Sequence, residues 1–320
     1  MQTETHLVTL EEILKARESI KEKVHRTPMA YSSYFSNLTG HDVSLKLELF
    51  QKTGSFKVRG VSNKMASLSP DEMQKGVITL SAGNAAQAVA WGATQYGVPS
   101  TVIMPQSSVV MKQHATRGYG GDVLLTDGNL LEYCMQVKDE RGLTLVHPFD
   151  DLQLIAGHGS LGLEILEDLP ECDVVFVGIG GGGLISGVAT AVKHLRPQTK
   201  IIGVEPEGAP TLTNSLEKGE ALPLLGTNTI ADGLAAPFAG QHTFQHVKAF
   251  VDEVVLVSED EIKTALRLIW ERCKVMAEPA AAASVAALMY DKVELPSGSS
   301  VCCVISGGNV DLAQVDKLLQ

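Results

Sequence analysis

Short apolar runs alternate with longer segments of helical periodicity along most of this 320-residue chain. The apolar runs are rich in Val, Ile and Leu, which is typical of strands. The predicted strands are 77–80, 101–104, 122–125, 174–177, 200–204, 253–257 and 300–305. The predicted helices are 85–96, 155–169, 259–277, one after the glycines that follow residue 177, and an amphipathic one within 1–23. This alternation predicts an α/β protein with mostly parallel sheets and crossover helices.

The alternation stops briefly at 147–151, where the sequence is His-Pro-Phe-Asp-Asp. We place one domain boundary near Pro148 and a second near Gly60. The expected division is a large domain of residues 1–60 and 151–320, with residues 61–150 inserted as a small domain. The length agrees with two domains, because a domain commonly contains about 100–200 residues.

Composition and charge narrow the possible partners. Hydrophobic residues make up 44% of the chain and charged residues 20%, which is typical of a folded globular protein. The net charge of −11 argues against nucleic acid or an anionic membrane as a partner. No apolar stretch resembles a signal peptide or a membrane span. The five cysteines include no CxxC pair, so we expect buried reduced thiols and a cytoplasmic location.

One lysine stands out for its local sequence. Lys57 follows Gly54 and Ser55, and Ser55 is expected to cap a helix that begins near Lys57. The positive end of a helix dipole disfavours an ammonium group, so the pKa of Lys57 should fall and its free amine could form a Schiff base. A surface lysine in a capped helix is the alternative interpretation of these residues alone.

A glycine loop at 178–183 follows the predicted strand 174–177 and precedes a helix. Its successive amides could point at an anion held on the helix N-terminus, and a phosphate is the natural ligand. Gly178, Gly180 and Gly183 also satisfy the GxGxxG spacing, and Glu205 ends the next strand. A dinucleotide-binding oxidoreductase is therefore an alternative function for this loop.

Two further loops follow predicted strands. Ser81 begins the loop 81–87, whose amides could hold a carboxylate, while Asn84 could cap a helix or bond a cofactor oxygen. Ser306 begins the second loop, 306–309. Each loop alone could be an ordinary cap or turn. Three such loops at the carboxyl ends of parallel strands indicate a ligand site, because open α/β sheets bind ligands at that edge.

Seven motifs together resemble the fold-type II pyridoxal-phosphate enzymes, in particular the threonine/serine dehydratase and serine racemase group. In chain order they are 54–60, 81–84, 147–151, 180–183, 229–233, 278–280 and 306–309. The resemblance covers nearly the whole chain. It implies two open twisted sheets with flanking helices, a small domain inserted in a larger one, pyridoxal 5'-phosphate as cofactor and a homodimer. The implied reaction removes water from a β-hydroxy amino acid such as L-threonine or L-serine, giving a 2-oxo acid and ammonia.

The resemblance also implies residue roles. Lys57 would form the Schiff base with the cofactor and act as the base at the substrate Cα. Ser306 would face the pyridine nitrogen of the cofactor. A serine at this place does not force that nitrogen to stay protonated, which favours elimination over transamination. The implied cofactor-binding residues are Phe56, Lys57, Asn84, Gly180, Gly181, Gly182, Gly183, Leu184, Gly233, Glu278, Ser306 and Gly307. The implied substrate-carboxylate residues are Ser81, Ala82, Gly83, Asn84 and Ala85.

Some positions depart from the family. Racemases of this group carry a serine as second base where this chain has Ala82, which disfavours racemisation, the alternative activity. Ala85 replaces a customary histidine, so we expect a roomier pocket. His158 replaces a customary amide and either takes over the role of the lost ring or is simply packed.

The family also often binds a divalent cation through a Glu, a backbone carbonyl and an Asp. Glu205 and Ala209 match the first two positions, but the third is Thr211. We therefore expect a weak or absent divalent site, with a monovalent ion or water as alternatives. We also expect no domain for feedback regulation after 311.

Overall fold

The computed structural model describes residues 6–319, and its strands form two sheets. The strands are β1 (Met29–Tyr31), β2 (Asp42–Leu47), β3 (Val77–Leu80), β4 (Ser100–Pro105), β5 (Asp122–Thr126), β6 (Thr144–Leu145), β7 (Val174–Gly178), β8 (Lys200–Pro206), β9 (Glu253–Val257) and β10 (Ser300–Ile305).

Helices connect the strands and cover both sheets. They are α1 (Leu10–Ile20), α2 (Ser33–Thr39), α3 (Lys57–Ala66), α4 (Pro70–Lys75), α5 (Asn84–Gln95), α6 (Val110–Gly118), α7 (Leu130–Arg141), α8 (Leu152–Asp168), α9 (Gly183–Leu195), α10 (Thr211–Lys218), α11 (Gln241–Phe250), α12 (Glu259–Leu268), α13 (Pro279–Met289) and α14 (Val315–Leu319). No helix within residues 6–319 is long and apolar enough to cross a membrane.

The larger sheet has six strands in the order β1-β2-β10-β7-β8-β9. Only β1 runs antiparallel to its neighbour, and the other pairs are parallel. Every residue of β7 is buried, as expected for a central strand covered on both faces. The alanine-rich α13 is buried throughout Pro279–Leu288. Its small side chains let it lie close to the strands β7 and β10.

The smaller sheet is parallel throughout, in the order β5-β4-β3-β6. Its four strands all fall within residues 61–150. The division into domains at Gly60 and Pro148 stays a prediction, and the separate sheet agrees with it. The α/β class and the two mostly parallel sheets are confirmed.

The helix predicted at 259–277 is wrong in its second half. The α-helix ends at Leu268, and one π-helical turn, Ile269–Cys273, follows it. Lys274 then takes a left-handed conformation with φ of 61°, and the Trp270 indole donates a hydrogen bond to the carbonyl of Ala277. The helix therefore ends at this residue, and the Trp270 side chain satisfies one of the backbone carbonyls that follow. At the other end, the amphipathic helix predicted within 1–23 is α1, and residues 1–5 lie outside the described residues.

Candidate active site

A pocket of about 340 Å³ lies where β3, β7 and β10 end, between the two sheets. Most of the predicted site residues line it, namely Phe56, Lys57, Ser81, Ala82, Gly83, Asn84, Ala85, Gly180, Gly181, Gly182, Gly183, Leu184, Gly233, Glu278 and Ser306. Gly307 does not line the pocket, and neither do the candidate cation ligands Glu205 and Ala209. The strand edge thus brings together three loops that are far apart in sequence.

Lys57 is the first residue of α3, and its amine lies at the bottom of the pocket. The amine donates a hydrogen bond to the carbonyl of Pro148 at 2.8 Å. Burial lowers the pKa of Lys57 to about 8, although the nearby Glu278 carboxylate acts in the opposite direction. The neutral, nucleophilic amine is therefore well populated slightly above neutral pH.

The local reasons for this lowered pKa differ from the prediction. Ser55 does not cap α3, because the N-cap residue is Phe56 and no side chain bonds the first amides. The Ser55 hydroxyl is instead buried without a hydrogen-bond partner, and its backbone pairs with Gly307. Burial is the main cause of the lowered pKa of Lys57, where the sequence had suggested the helix dipole.

The lowered pKa predicts how the protein without cofactor captures carbonyl compounds. The rate at which it takes up pyridoxal phosphate should rise about tenfold per pH unit below pH 8 and level off above it, because the free amine is then the major form. Visible absorbance followed from pH 6 to pH 10 measures this rate. A rate that still climbs steeply at pH 10 would indicate an ordinary lysine.

Arg59 anchors the helix that carries Lys57. Its buried guanidinium donates two hydrogen bonds to Glu48, both at 2.8 Å, and two to Glu164, at 2.7 and 2.9 Å. Lys46, also buried, pairs with Glu164 at 2.9 Å and with Asp168 at 3.1 Å. These bidentate pairs connect α3 to the end of β2 and to α8. The position of Lys57 is thus fixed from behind.

The glycine loop forms a cradle that side chains would fill. A Cβ atom on Gly181 would lie 2.2 Å from the Phe149 ring, and one on Gly180 would lie 3.0 Å from the carbonyl of Gly233. Gly182 has a φ of 88°, which favours glycine. The helix α9 begins at Gly183 without a side-chain cap, so its first amides are available to an anion.

A hydrogen-bond network joins Asn84, in the loop 81–87, to Glu278 and Asn309. Asn84 is the first residue of α5, and its amide group donates to Glu278 at 2.6 Å and accepts from Asn309 at 2.8 Å. It does not cap the helix, because Gly83 is the N-cap residue. Burial raises the pKa of Glu278 to about 7. The Ser81 hydroxyl accepts the N–H of Gly83 at 3.1 Å.

His158 is a packed residue behind the pocket and does not line it. Its ring is fully buried and makes an edge-on contact with Phe56, with ring centroids 4.9 Å apart. Both ring nitrogens lack a hydrogen-bond partner, and burial lowers the pKa of His158 well below its ordinary range. A Cβ on Gly60 would lie 2.5 Å from the ring. His158 therefore does not replace the ring lost at Ala85.

The candidate cation ligands are already engaged by protein donors. The buried Glu205 carboxylate accepts the N–H of Leu212 at 2.7 Å and both the N–H and the hydroxyl of Thr213, at 2.9 and 2.7 Å. The carbonyl of Ala209 accepts the N–H of Thr211 at 2.9 Å. Burial raises the pKa of Glu205 to about 7. Each oxygen of Glu205 therefore already accepts at least one hydrogen bond from the protein, and the weak or absent divalent site stays a prediction.

Lys112 and Phe238 line the pocket but belong to none of the seven motifs, whereas their partners Asp232, His147 and Phe149 do. Lys112 on α6 and Asp232 form an ion pair across it. His147, Phe149 and Phe238 form an aromatic cluster, with ring centroids 4.7 to 5.9 Å apart. Lys112 belongs to no motif, but α6 follows β4, so its start was bound to lie near the same sheet edge.

The residues of the pocket fit a cofactor that carries both a carbonyl group and a phosphate. The glycine cradle suits the phosphate, and the amine of Lys57 is buried, partly neutral and held in the same cavity. The Ser55 hydroxyl, buried and without a partner, lies behind this wall. Fold and site together define an open α/β protein whose pocket combines a buried lysine amine with a glycine cradle.

The family comparison specifies that class. The family model described as "Pyridoxal-phosphate dependent enzyme" matches residues 20–307, and the chain belongs to this family. The L-threonine ammonia-lyase of Thermotoga maritima is 45% identical over 317 residues, 98% of this chain and 78% of that protein. The catabolic L-threonine dehydratase of Staphylococcus aureus is 43% identical over 321 residues, 98% of this chain and 93% of that protein.

A solved structure gives the same result for the fold. The structure of maize serine racemase matches with a TM-score of 0.93 at 38% identity and covers 98% of this chain and 97% of that chain. The predicted family, fold class and pyridoxal-phosphate cofactor are confirmed. These matches give no support to the dinucleotide-binding alternative. The role of each site residue stays a prediction.

Proposed function

We propose that this enzyme removes water from L-threonine and L-serine and releases ammonia and a 2-oxo acid. The observation that carries the proposal is that the amine of Lys57, the glycine cradle and the loop that starts at Ser81 all line the same cavity. The names of the two bacterial relatives support the same reaction. The chain covers 78% and 93% of the lengths of these two relatives.

In this proposal each part of the pocket does one task. Bound pyridoxal phosphate supplies an electron sink for the pair left on the substrate Cα. The amine of Lys57 removes the Cα proton, because its pKa near 8 lets it accept and return a proton at physiological pH. The amides at the start of α5 hold the substrate carboxylate. Ala82 has no ionisable group, so the opposite face of Cα lacks a second base, which disfavours racemisation.

Incubation of the purified enzyme with cofactor and a panel of β-hydroxy amino acids tests the proposal. Ammonia and 2-oxo acid should form in equal amounts from L-threonine and L-serine, and chiral chromatography should show no D-serine. A protein that binds the cofactor but releases ammonia from no member of the panel would contradict the proposal. Accumulation of D-serine would favour the racemase alternative.

The side chain at position 85 should affect which substrates are accepted. Ala85, Leu130 and Leu131 all line the pocket, so its lining offers apolar surface to larger apolar substrate side chains. Ala85→His should lower kcat/KM for β-phenylserine about tenfold or more relative to L-serine, because an added ring costs about 1–3 kcal/mol of overpacking. Ala85→Val is the milder control. Equal ratios in all three proteins would show that the residue does not limit size.

We further propose that the chain acts as a homodimer in the cytoplasm. Several large apolar side chains are exposed in the single chain, among them Tyr31, Leu38 and Phe50. The cysteines are free, and four of the five are buried, which agrees with a reducing compartment. Light scattering coupled to gel filtration measures the mass and would show a monomer if the proposed dimer does not form.

A further inference from the structure

Lys112 is a buried cation in the pocket that the proposed reaction has not yet used. Its side chain is 9% exposed, while the side chain of its partner Asp232 is 61% exposed. Among the contacts of residues 6–319, the only hydrogen bond of the Lys112 amine goes to Asp232. An ammonium group has three N–H donors. Two donors of a largely desolvated charge are therefore left for a ligand.

The position of the amine indicates what that ligand is. It lies 3.9 Å from where a Cβ atom of Gly83 would be, so it borders the loop that starts at Ser81. No side chain caps α5, and the amides of Asn84 and Ala85 open its first turn. A carboxylate held by these amides would lie beside the Lys112 amine. The same residue would then supply the positive charge that the backbone amides lack.

Asp232 has the properties of a temporary partner. Because it is mostly exposed, its carboxylate can return to water at little cost, whereas Lys112 would be left buried and unpaired without some anion. Glu278 is the other carboxylate whose charge acts on this region, but it is fully buried and already accepts hydrogen bonds from Asn84 and Asn309. Glu278 is therefore not free to take over the Lys112 amine when Asp232 leaves it. A substrate carboxylate is free to do so.

We propose that Lys112 is a positioning residue that binds the α-carboxylate of the substrate, and that Asp232 holds its amine when no substrate is present. The inference rests on the proposed function, because it assigns a second anchor to the same substrate. It predicts opposite effects for the two members of one ion pair. A clasp that only holds the pocket walls together would give the same effect for both.

Steady-state kinetics with L-threonine tests the first half. Lys112→Met keeps the length and apolar stem of the side chain and should raise KM about tenfold to a hundredfold, the range for a lost charge-assisted hydrogen bond. The value of kcat should change much less, because the reacting atoms are elsewhere. Lys112→Arg should recover most of the loss in KM. The visible absorbance of bound cofactor shows whether each variant is folded and loaded.

Asp232→Asn tests the second half. Removing the competing carboxylate should leave KM unchanged or lower it, and should never raise it as Lys112→Met does. If both variants raise KM equally, the pair is a structural clasp and the inference fails. An unchanged KM in Lys112→Met would overturn it as well.

A matched pair of inhibitors shows whether the charge acts on the carboxylate. L-2-aminobutyrate has the carboxylate and no β-hydroxyl group, and 2-amino-1-butanol replaces that carboxylate by an alcohol. The wild type should bind the first more tightly, and Lys112→Met should reduce this preference about tenfold while leaving the alcohol unaffected. Equal loss for both compounds would contradict the inference. Absorbance detects inhibitor binding without turnover. A wild type that binds L-2-aminobutyrate but releases no ammonia from L-threonine or L-serine would therefore disprove the proposed function and leave this inference standing.

Discussion

Replacing Lys57 by alanine is expected to reduce ammonia release from L-threonine at least about a thousandfold, because the change removes both the covalent attachment of the cofactor and the base at Cα. The fold should survive, because the amine makes one hydrogen bond, to the carbonyl of Pro148. Ammonia release measured by a coupled assay gives the rate. Lys75→Ala, on the exposed surface of α4, is the matched control and should keep the wild-type rate.

A second measurement tests the covalent role of Lys57 directly. Borohydride reduction should fix the cofactor to the wild type and to Lys75→Ala, and should leave Lys57→Ala unlabelled. Mass spectrometry of the digested protein locates the label. A Lys57→Ala protein that is still labelled, or that still releases ammonia at a comparable rate, would show that another residue carries the chemistry.

Arg59→Met should be the most destabilising single change in the region of the site, with an expected loss of about 3–5 kcal/mol in the free energy of unfolding. The substitution leaves the Glu48 carboxylate buried with the Thr27 hydroxyl as its remaining side-chain donor, while Glu164 still pairs with Lys46. The loss is a large share of a typical total of about 5–15 kcal/mol. Urea unfolding of the protein without cofactor measures it through the midpoint.

Two further variants separate the charge of Arg59 from the geometry of its hydrogen bonds. Arg59→Lys keeps the charge but not the fork of five donors, so it should lose an intermediate amount of stability. Adding Glu48→Gln to Arg59→Met removes the carboxylate that is left without a cation and should recover part of the loss. A urea midpoint for Arg59→Met equal to that of the wild type would mean that the buried pairs contribute nothing net.

The elements that the sequence predicted well share one physical cause. The strands 77–80, 253–257 and 300–305 match β3, β9 and β10, because apolar runs of this length must be buried in a sheet. The predicted helix at 259–277 was too long, because the pattern contains no signal for the π-helical turn. The hydrogen bond from Trp270 reaches Ala277, seven residues further along the chain, and the apolar periodicity does not record such a side-chain contact.

The site residues that follow directly after strands could be predicted from the sequence. Those whose position depends on tertiary packing could not. Ser81, Gly180 and Ser306 follow strands of parallel sheets, and the carboxyl ends of such strands meet at one edge. Lys112 lies near the same edge because α6 follows β4, but the sequence does not show that its amine enters the pocket. Arg59 was in a recognised motif, but its partner Glu164 is 105 residues away in sequence. Long-range pairs of this kind cannot be inferred from one sequence.

The hydrogen bonds that Glu205 accepts from the start of α10 bear on how this enzyme can be controlled. The donors on its oxygens belong to Leu212 and Thr213, which are covalently part of the chain. Such donors are present at a fixed ratio of one set per molecule, and neither dialysis nor a change in free ion concentration removes them. A dissociable ion at this place would act as a sensor, whereas a peptide group acts as a permanent structural support.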